Sequence, residues 1–576
     1  MQRRTFIKGV AASSLLTFGE TETKAQDIPY RYKREKVLSG NEFFLEIGYT
    51  RVNLTGEPSV ATTVNGQLAG PTLVWQEGET VTIHVTNHLK KSTSIHWHGI
   101  ILPSHMDGVP GLSFDGIAPG ETFTYRFKVQ QHGTYWYHSH SDFQEQTGLY
   151  GAIVIKPKRK EPFRYEREYI ILLSDWSDID PSTIYKKLKQ ESHYYNISRR
   201  TLGDFWSEVK SKGVAAAYSD RKMWNEMRMS DRDISDVTGY TYSYLMNGHS
   251  ASREFKAHFK KGEKIRLRFI NASAMTFFDI HIPGLEMKVV AADGNHVKPV
   301  DVDEFRIGVA ETYDVIVQPR SPKAYAIFAQ SIDRSGYALG ALTPNLSLDA
   351  KAPQMDPKPV LTHADMGMTM NMSSADGMKC GSGMTMPDKH AMRSMKFAKM
   401  EAHRFPITEL PMKRGVETDM VALSPQYRLD DPGVGLRNNG RRVLTYADLR
   451  NRYSTAHYRK PDREIILHLT GNMERFMWSI NGIRYADAKP ILCTYGECLR
   501  VTFINDTMMH HPMHLHGMWS NLETGDDNRL VRKHTVVVQP GAKISYRVIV
   551  DAKGRWAYHC HMLYHMAGMF REVRVS

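Results

Sequence analysis

Two scarcities bound this chain first: it has four cysteines in 576 residues, and no run of about 18 consecutive apolar residues. The second leaves no segment expected to cross a membrane as a helix. The first restricts thiolate chemistry. Cys380, Cys493 and Cys498 lie apart from every histidine motif, so Cys560 is the one thiol set among histidines. A concentrated basic patch is also missing. The formal charge is +13, yet Lys and Arg are spread through the chain with no basic-aromatic module. That reads as a solvated basic surface and argues against a nucleic-acid partner. The length suits three or four domains. Hydrophobic content of 41% and many period-two segments suit an all-β protein.

What is present is concentrated in four short motifs. His559-Cys560-His561 is followed by His565 and then Met569. Cysteine, histidine and a weak thioether form the ligand set of a blue-copper site. On a strand the two flanking histidines point away from the thiolate. They can then serve neighbouring ions a few bonds from Cys560. The other motifs are His96-Trp97-His98, His138-Ser139-His140 and His511-Pro512-Met513-His514-Leu515-His516. Each lies in or beside a segment that reads as a strand, such as 80–88, 121–129 and 499–504. We expect each His-x-His to send its imidazoles to opposite faces, as ligands shared among neighbouring metals. Structural zinc needs four ligands per site and gives no reason for one cysteine between two histidines.

The chain contains an internal duplication. Asn87…His96-Trp97-His98-Gly99 is mirrored by Asn505…His514-Leu515-His516-Gly517. Gly133–His140 is likewise mirrored by Gly554–His561, with Ser139 at the place of Cys560. The first and last domains are therefore copies of one unit, and only the last can hold blue copper. In the first copy Gln144 to Leu149 is five residues. In the last, Met569 stands four after His565 and Phe570 five after.

These motifs resemble the multicopper oxidases over nearly the whole chain. The stretches 70–75, 94–114, 144–148 and 510–517 resemble the periplasmic copper-resistance protein A type of that family. The resemblance implies an all-β fold of three cupredoxin-like Greek-key β-sandwich domains, antiparallel, with a Met-rich insert. It implies four copper ions. His511, Cys560 and His565 would bind the type 1 ion, with Met569 favoured over Phe570 as axial neighbour. His96 and His514 would bind the type 2 ion. His98, His138, His140, His516, His559 and His561 would bind the type 3 pair. Asp107 matches the acid that handles protons and water. A one-electron donor would pass electrons through an exposed edge of His511 or His565 and across Cys560, and dioxygen would be reduced to water.

Expected boundaries are a twin-arginine signal at 1–26, domains at 38–158, 164–345 and 404–576, and the Met-rich segment at 350–403. The second domain has no His-x-His and is expected to be a metal-free spacer, with helix-like composition near 199–229. Between 355 and 400 there are 11 methionines. Thioethers select Cu(I), so additional Cu(I) is expected there. Cu(I) is the first-choice donor, with a phenol or catechol as the laccase-like alternative and non-enzymatic copper sequestration as the competing class. The signal implies a periplasmic protein with a periplasmic or outer-membrane copper-resistance partner. Cys493 and Cys498 flank a tight turn, where a disulfide or two buried thiols would fit.

Overall fold

A computed structural model describes residues 36–198, 200–226, 228–368 and 405–576. The described strands pair into two-sheet sandwiches repeated along the chain. The first packs the sheet of Val37–Ser39, Gly70–Gln76, Tyr150–Lys156, Gly133–His138 and His96–His98 on that of Pro58–Val64, Glu42–Asn53, Thr80–Asn87 and Thr122–Lys128. The second is built the same way from seven and five strands, the third from eight and five. The core between sheets is aliphatic and aromatic, with Trp75, Trp97 and Tyr125 buried in the first domain. Among the described residues, no helix is long and apolar enough to cross a membrane.

The sandwiches are mixed rather than antiparallel, which corrects the expectation. Glu42–Asn53 runs parallel to Thr80–Asn87, Arg167–Trp176 to Ile265–Asn271, and Arg463–Asn472 to Cys498–Asn505. Each pair is joined by a crossover rather than a tight hairpin, so parallel pairing is open to it.

These three pairs expose a third copy of the unit. In each, the second strand ends on an asparagine: Asn87, Asn271 or Asn505. The Asn505 amide donates to the carbonyls of Met509 (2.7 Å) and Val538 (3.0 Å), and its Oδ1 accepts from the Thr507 N–H. Asn87 donates to Lys91 and Ile117 and accepts from Leu89. Asn271 donates to Thr276 and Ile307 and accepts from Ser273. A buried asparagine therefore sets the loop after this strand in each copy, and in the first and last copies that loop leads into a histidine motif. The carbonyl of each Asn takes an N–H from Gly120, Ala310 or Gly541, all at positive φ.

Helices occur where the composition of the second domain pointed. Leu202–Lys212 opens with a capping box, Thr201 and Asp204 bonding each other's backbone N–H. Val214–Glu226 follows after Gly213. Pro181–Gln190 is an additional helix, capped by Asp180. The second domain ties the outer two together. Asp314 accepts from Thr134 of the first domain at 2.8 Å, and buried Lys533 of the third lies 3.0 Å from Asp293 and 2.9 Å from Glu311.

Cys493 and Cys498 are free, buried thiols. Burial, with Glu497 second, pushes the Cys493 thiol up to about 11. The segment 350–368 packs as a connector, with Leu361 and Met366 in the core. The rest of the Met-rich segment, Cys380 and the 1–26 signal lie outside the described residues.

Candidate metal centre

His511–Leu515 and Gly554–Cys560 are neighbouring antiparallel strands, with Met513 opposite Cys560 and His514 opposite His559. This pairing brings together the first candidate centre. Cys560 Sγ lies 3.5 Å from His511 Nδ1 and 3.8 Å from His565 Nδ1, and the two nitrogens are 3.4 Å apart. All three residues are buried. One ion about 2.0–2.3 Å from each atom fits these separations, the usual nitrogen and sulfur bond lengths of first-row metals. Burial holds the thiol well above its ordinary range, so a bound cation must displace its proton.

The far ring nitrogens are occupied. His511 Nε2 meets Thr507 Oγ1 at 2.7 Å, and His565 Nε2 meets Asp236 Oδ2 at 2.7 Å. Trp478 stacks on His565 with centroids 3.8 Å apart. Neither histidine therefore has an exposed edge, which corrects the expected route for electrons. The partner of His565 is Asp236, a residue of the second domain that the sequence alone does not mark. Asp236 is buried, and burial followed by Asp233 raises its pKa well above the carboxylate range. His193 reaches Asp233 at 2.7 Å beside an open cleft of about 570 Å³ that Met229 also lines.

The first domain carries the same place without ligands. Thr93, Ser139 and Gln144 stand where His511, Cys560 and His565 stand. The hydroxyls of Thr93 and Ser139 donate to Gln144 Oε1 at 2.6 and 2.9 Å. The duplication also settles the register of the shortened loop. The Cys560 N–H bonds the Met569 carbonyl at 3.0 Å, as the Ser139 N–H bonds that of Leu149. The missing residue is thus absorbed before Met569. Phe570 pairs with His559 instead and stacks on it at 5.5 Å. Strand alternation leaves Met569 on the side of Cys560 and Phe570 on the other.

That other side faces the second candidate centre, where eight histidines meet between the first and third domains. The expectation of opposite faces for His-x-His is wrong. Residues two apart on a strand share a face, and the ring centroids lie 5.6 Å apart for His96 and His98 and 5.5 Å for His559 and His561. His516 Nε2 lies 3.0 Å from His559 Nε2, His140 Nε2 3.3 Å from His559 Nε2, and His138 Nε2 3.3 Å from His561 Nε2. These approaches are not hydrogen bonds. The Nδ1 of His559 faces the Cys560 carbonyl, and that of His138 faces Ser139 O and Glu145 Oε2. Each Nδ1 is then the donor, and each Nε2 offers a lone pair. Lone pairs converging at such distances are a ligand arrangement.

Three further nitrogens, His96 Nε2, His98 Nδ1 and His514 Nε2, are buried without a partner. His96 and His514 turn their Nδ1 to the carbonyls of Asp107 (2.8 Å) and His534 (2.6 Å). His98 is reversed, its Nε2 lying 3.1 Å from His534 Nδ1. Burial lowers the pKa of His98, His138, His140, His514, His516, His559 and His561, which favours the neutral, ligating form. The donor set fits copper: imidazoles converge at one centre, and imidazoles with a thiolate at the other.

Two carboxylates orient these rings. Asp107 Oδ2 meets His516 Nδ1 at 2.8 Å. Gly108 makes that approach possible, because a side chain there would strike the Ile95 carbonyl, 1.8 Å away. Glu145 meets His138 Nδ1 at 2.8 Å and was not anticipated from sequence. Its signal was available, since it follows Gln144 in the first copy as Met566 follows His565 in the last.

Comparison with known proteins agrees with this geometry. Family models described as multicopper oxidase match residues 46–160, 198–343 and 458–576. The chain is 53% identical to copper resistance protein A of Escherichia coli, over 100% of this chain and 99% of that protein. It is 53% identical to a copper resistance protein A homolog of Pseudomonas syringae pv. tomato with the same coverage, and 31% identical to the multicopper oxidase MmcO of Mycobacterium tuberculosis over 90% and 84%. The fold superposes on the crystal structure of Fet3p, a multicopper oxidase that functions in iron import, at TM-score 0.64 and 19% identity, covering 94% and 91% of the two chains. With two buried histidine-rich centres on one strand and full-length identity above half to such relatives, the chain belongs to the multicopper oxidases.

Proposed function

We propose that this protein is a copper-resistance oxidase that takes electrons from Cu(I) and reduces dioxygen to water. The observation that carries the reading is the strand ending His559-Cys560-His561. One face presents the thiolate to His511 and His565, and the other presents two imidazoles to the histidine cluster. Copper bound at both centres would supply one-electron acceptance at the first and multi-electron reduction of dioxygen at the second. In this reading His511, Cys560 and His565 hold the type 1 ion, with Met569 as its axial neighbour. His96 and His514 hold the type 2 ion. His98, His138, His140, His516, His559 and His561 hold the type 3 pair, four ions in all. Asp107 and Glu145 keep their rings in the ligating tautomer. In this reading Asp107 also hands protons to the cluster.

The electron donor meets the chain at the cleft beside Asp233 and Asp236. The relatives that match over the full length are named copper resistance protein A, which supports a role in copper resistance, and Cu(I) rather than a phenol or catechol is the donor in this reading. The Met-rich segment would collect further Cu(I). The domain boundaries 38–158, 164–345 and 404–576, and a twin-arginine signal at 1–26 leading to the periplasm, belong to the same reading, as does a periplasmic or outer-membrane copper-resistance partner.

Oxygen uptake by the copper-loaded protein tests it. Uptake on Cu(I) supports the reading. Uptake only on phenols would move it to a laccase-like oxidase, and none on either would leave copper sequestration. Replacing 369–400 by a short Gly/Ser bridge, which spares the packed 350–368 connector, should lower Cu(I) oxidation and leave phenol oxidation intact. Equal loss of both would remove the segment from copper collection.

A further inference from the structure

Away from both centres, one histidine among the described residues has both ring nitrogens buried without a hydrogen-bond partner: His296, which is 5% exposed. Half-buried His132 lies against it, ring centroids 4.7 Å apart, and its Nδ1 is likewise buried and unpartnered. Glu161 Oε1 stands 3.8 Å from His296 Nε2. The same signature, an imidazole nitrogen left bare in the interior, marks His96, His98 and His514 at the histidine cluster. Leaving such an atom unmatched costs the desolvation of that group, so each one calls for an explanation.

The separation of His296 from Glu161 points to an ion. At 3.8 Å the imidazole and carboxylate are too far apart for a hydrogen bond. They fit two ligands each about 2.0–2.2 Å from one metal. Burial, with His296 second, lowers the pKa of His132, which favours its neutral, ligating form. Arg266 sits 2.6 Å from the same Glu161 oxygen, but its charge is shared with Asp314, also at 2.6 Å.

We propose that His132, His296 and Glu161 form a further metal site, distinct from the two centres above, that takes one Cu(II). Two imidazoles and a carboxylate suit a divalent first-row ion, and Cu(II) stands highest in affinity among them. The thioethers of the Met-rich segment prefer Cu(I), so the two do not compete for one oxidation state. The place in the fold gives the ion a task. His132 precedes the strand Gly133–His138 of the first domain, Glu161 lies between the first two domains, and His296 belongs to the second. The His296 carbonyl also accepts the Arg452 N–H of the third at 3.1 Å. An ion here would pin the seam between domains.

The test is titration of the copper-loaded full chain with Cu(II) against a competing chelator, with metal counted by mass spectrometry and bound Cu(II) followed by electron paramagnetic resonance. The unsubstituted protein should bind one Cu(II) per chain more than His296→Gln or His132→Gln at the same free concentration. Glu161→Gln should weaken that binding. Blue absorption should be unchanged in all, since none of the three touches the thiolate centre. Equal Cu(II) uptake by the unsubstituted protein and both histidine variants would overturn the site. Should His296→Gln disturb folding and lose the blue absorption, the more exposed His132→Gln decides alone, and equal uptake there overturns the proposal.

Discussion

Asp236→Ala is the perturbation that isolates how electrons reach the thiolate centre. The carboxylate lies 2.7 Å from His565 Nε2, contributes nothing to the ligand atoms, and comes from another domain. A hydrogen bond between neutral groups contributes about 0.5–1.5 kcal/mol. If that interaction serves the acceptance of an electron from the donor, its loss lowers kcat/KM by about 2- to 12-fold, at about 1.4 kcal/mol per factor of ten. Asp236→Asn separates charge from orientation. It keeps an acceptor oxygen and discards the ionisable group. Burial, and then Asp233, already hold this carboxyl well above the usual carboxylate range. A neutral stand-in should therefore recover most of the loss. The assay is steady-state oxygen consumption on Cu(I), with blue absorption as a check that the centre is intact. An Ala variant with unchanged kcat/KM and intact colour would refute the route through Asp236 and return the search to Trp478 and Thr507.

Met569→Leu should raise the potential of the thiolate centre and shift its electron paramagnetic resonance parameters, because a weak axial thioether is withdrawn; redox titration checks it, and a silent substitution would remove Met569 from the centre. His516→Ala should leave a blue protein that no longer reduces dioxygen, read from absorption, copper content and oxygen uptake together; normal turnover would take His516 out of the cluster. Ala310 occupies the left-handed region at φ 70°, where the other two copies carry Gly120 and Gly541. Ala310→Gly relieves about 1–2 kcal/mol of strain and returns about 0.4–1 kcal/mol in unfolded-chain entropy. Losing the fully buried methyl costs about 0.8 kcal/mol more, so the thermal midpoint should hardly move, and a clear fall would contradict the strain argument.

The ligand motifs were legible because metal chemistry demands particular residue types, and those types are rare. His559-Cys560-His561 and its mirror at His138-Ser139-His140 also showed the duplication, down to the Thr93, Ser139 and Gln144 place that lost its ligands. Copying obscured the third unit. Asn271 repeats the bonds of Asn87 and Asn505, but only the single His281 follows it closely and no His-x-His, so its neighbourhood carries no metal motif. Asp236, Glu145 and His534 were missed for a different reason. They act through contacts between residues far apart in the chain, and a single acid or histidine in sequence carries no mark of its partner. The parallel strand pairs escaped because period-two patterning sets which face a residue takes and leaves strand direction open. The exposed histidine edge was expected from the resemblance, whereas burial of His511 and His565 is a property of the packed domains around them.

The most direct test of the account is a copper count on the purified, loaded protein, taken together with its absorption and electron paramagnetic resonance spectra. The account predicts four strongly held ions per chain, with intense thiolate-to-copper absorption that vanishes in Cys560→Ser while three ions remain. Any Cu(II) at the seam site should come off to a chelator that leaves these four in place. A colourless loaded protein, or a Cys560→Ser variant that stays blue, would contradict it.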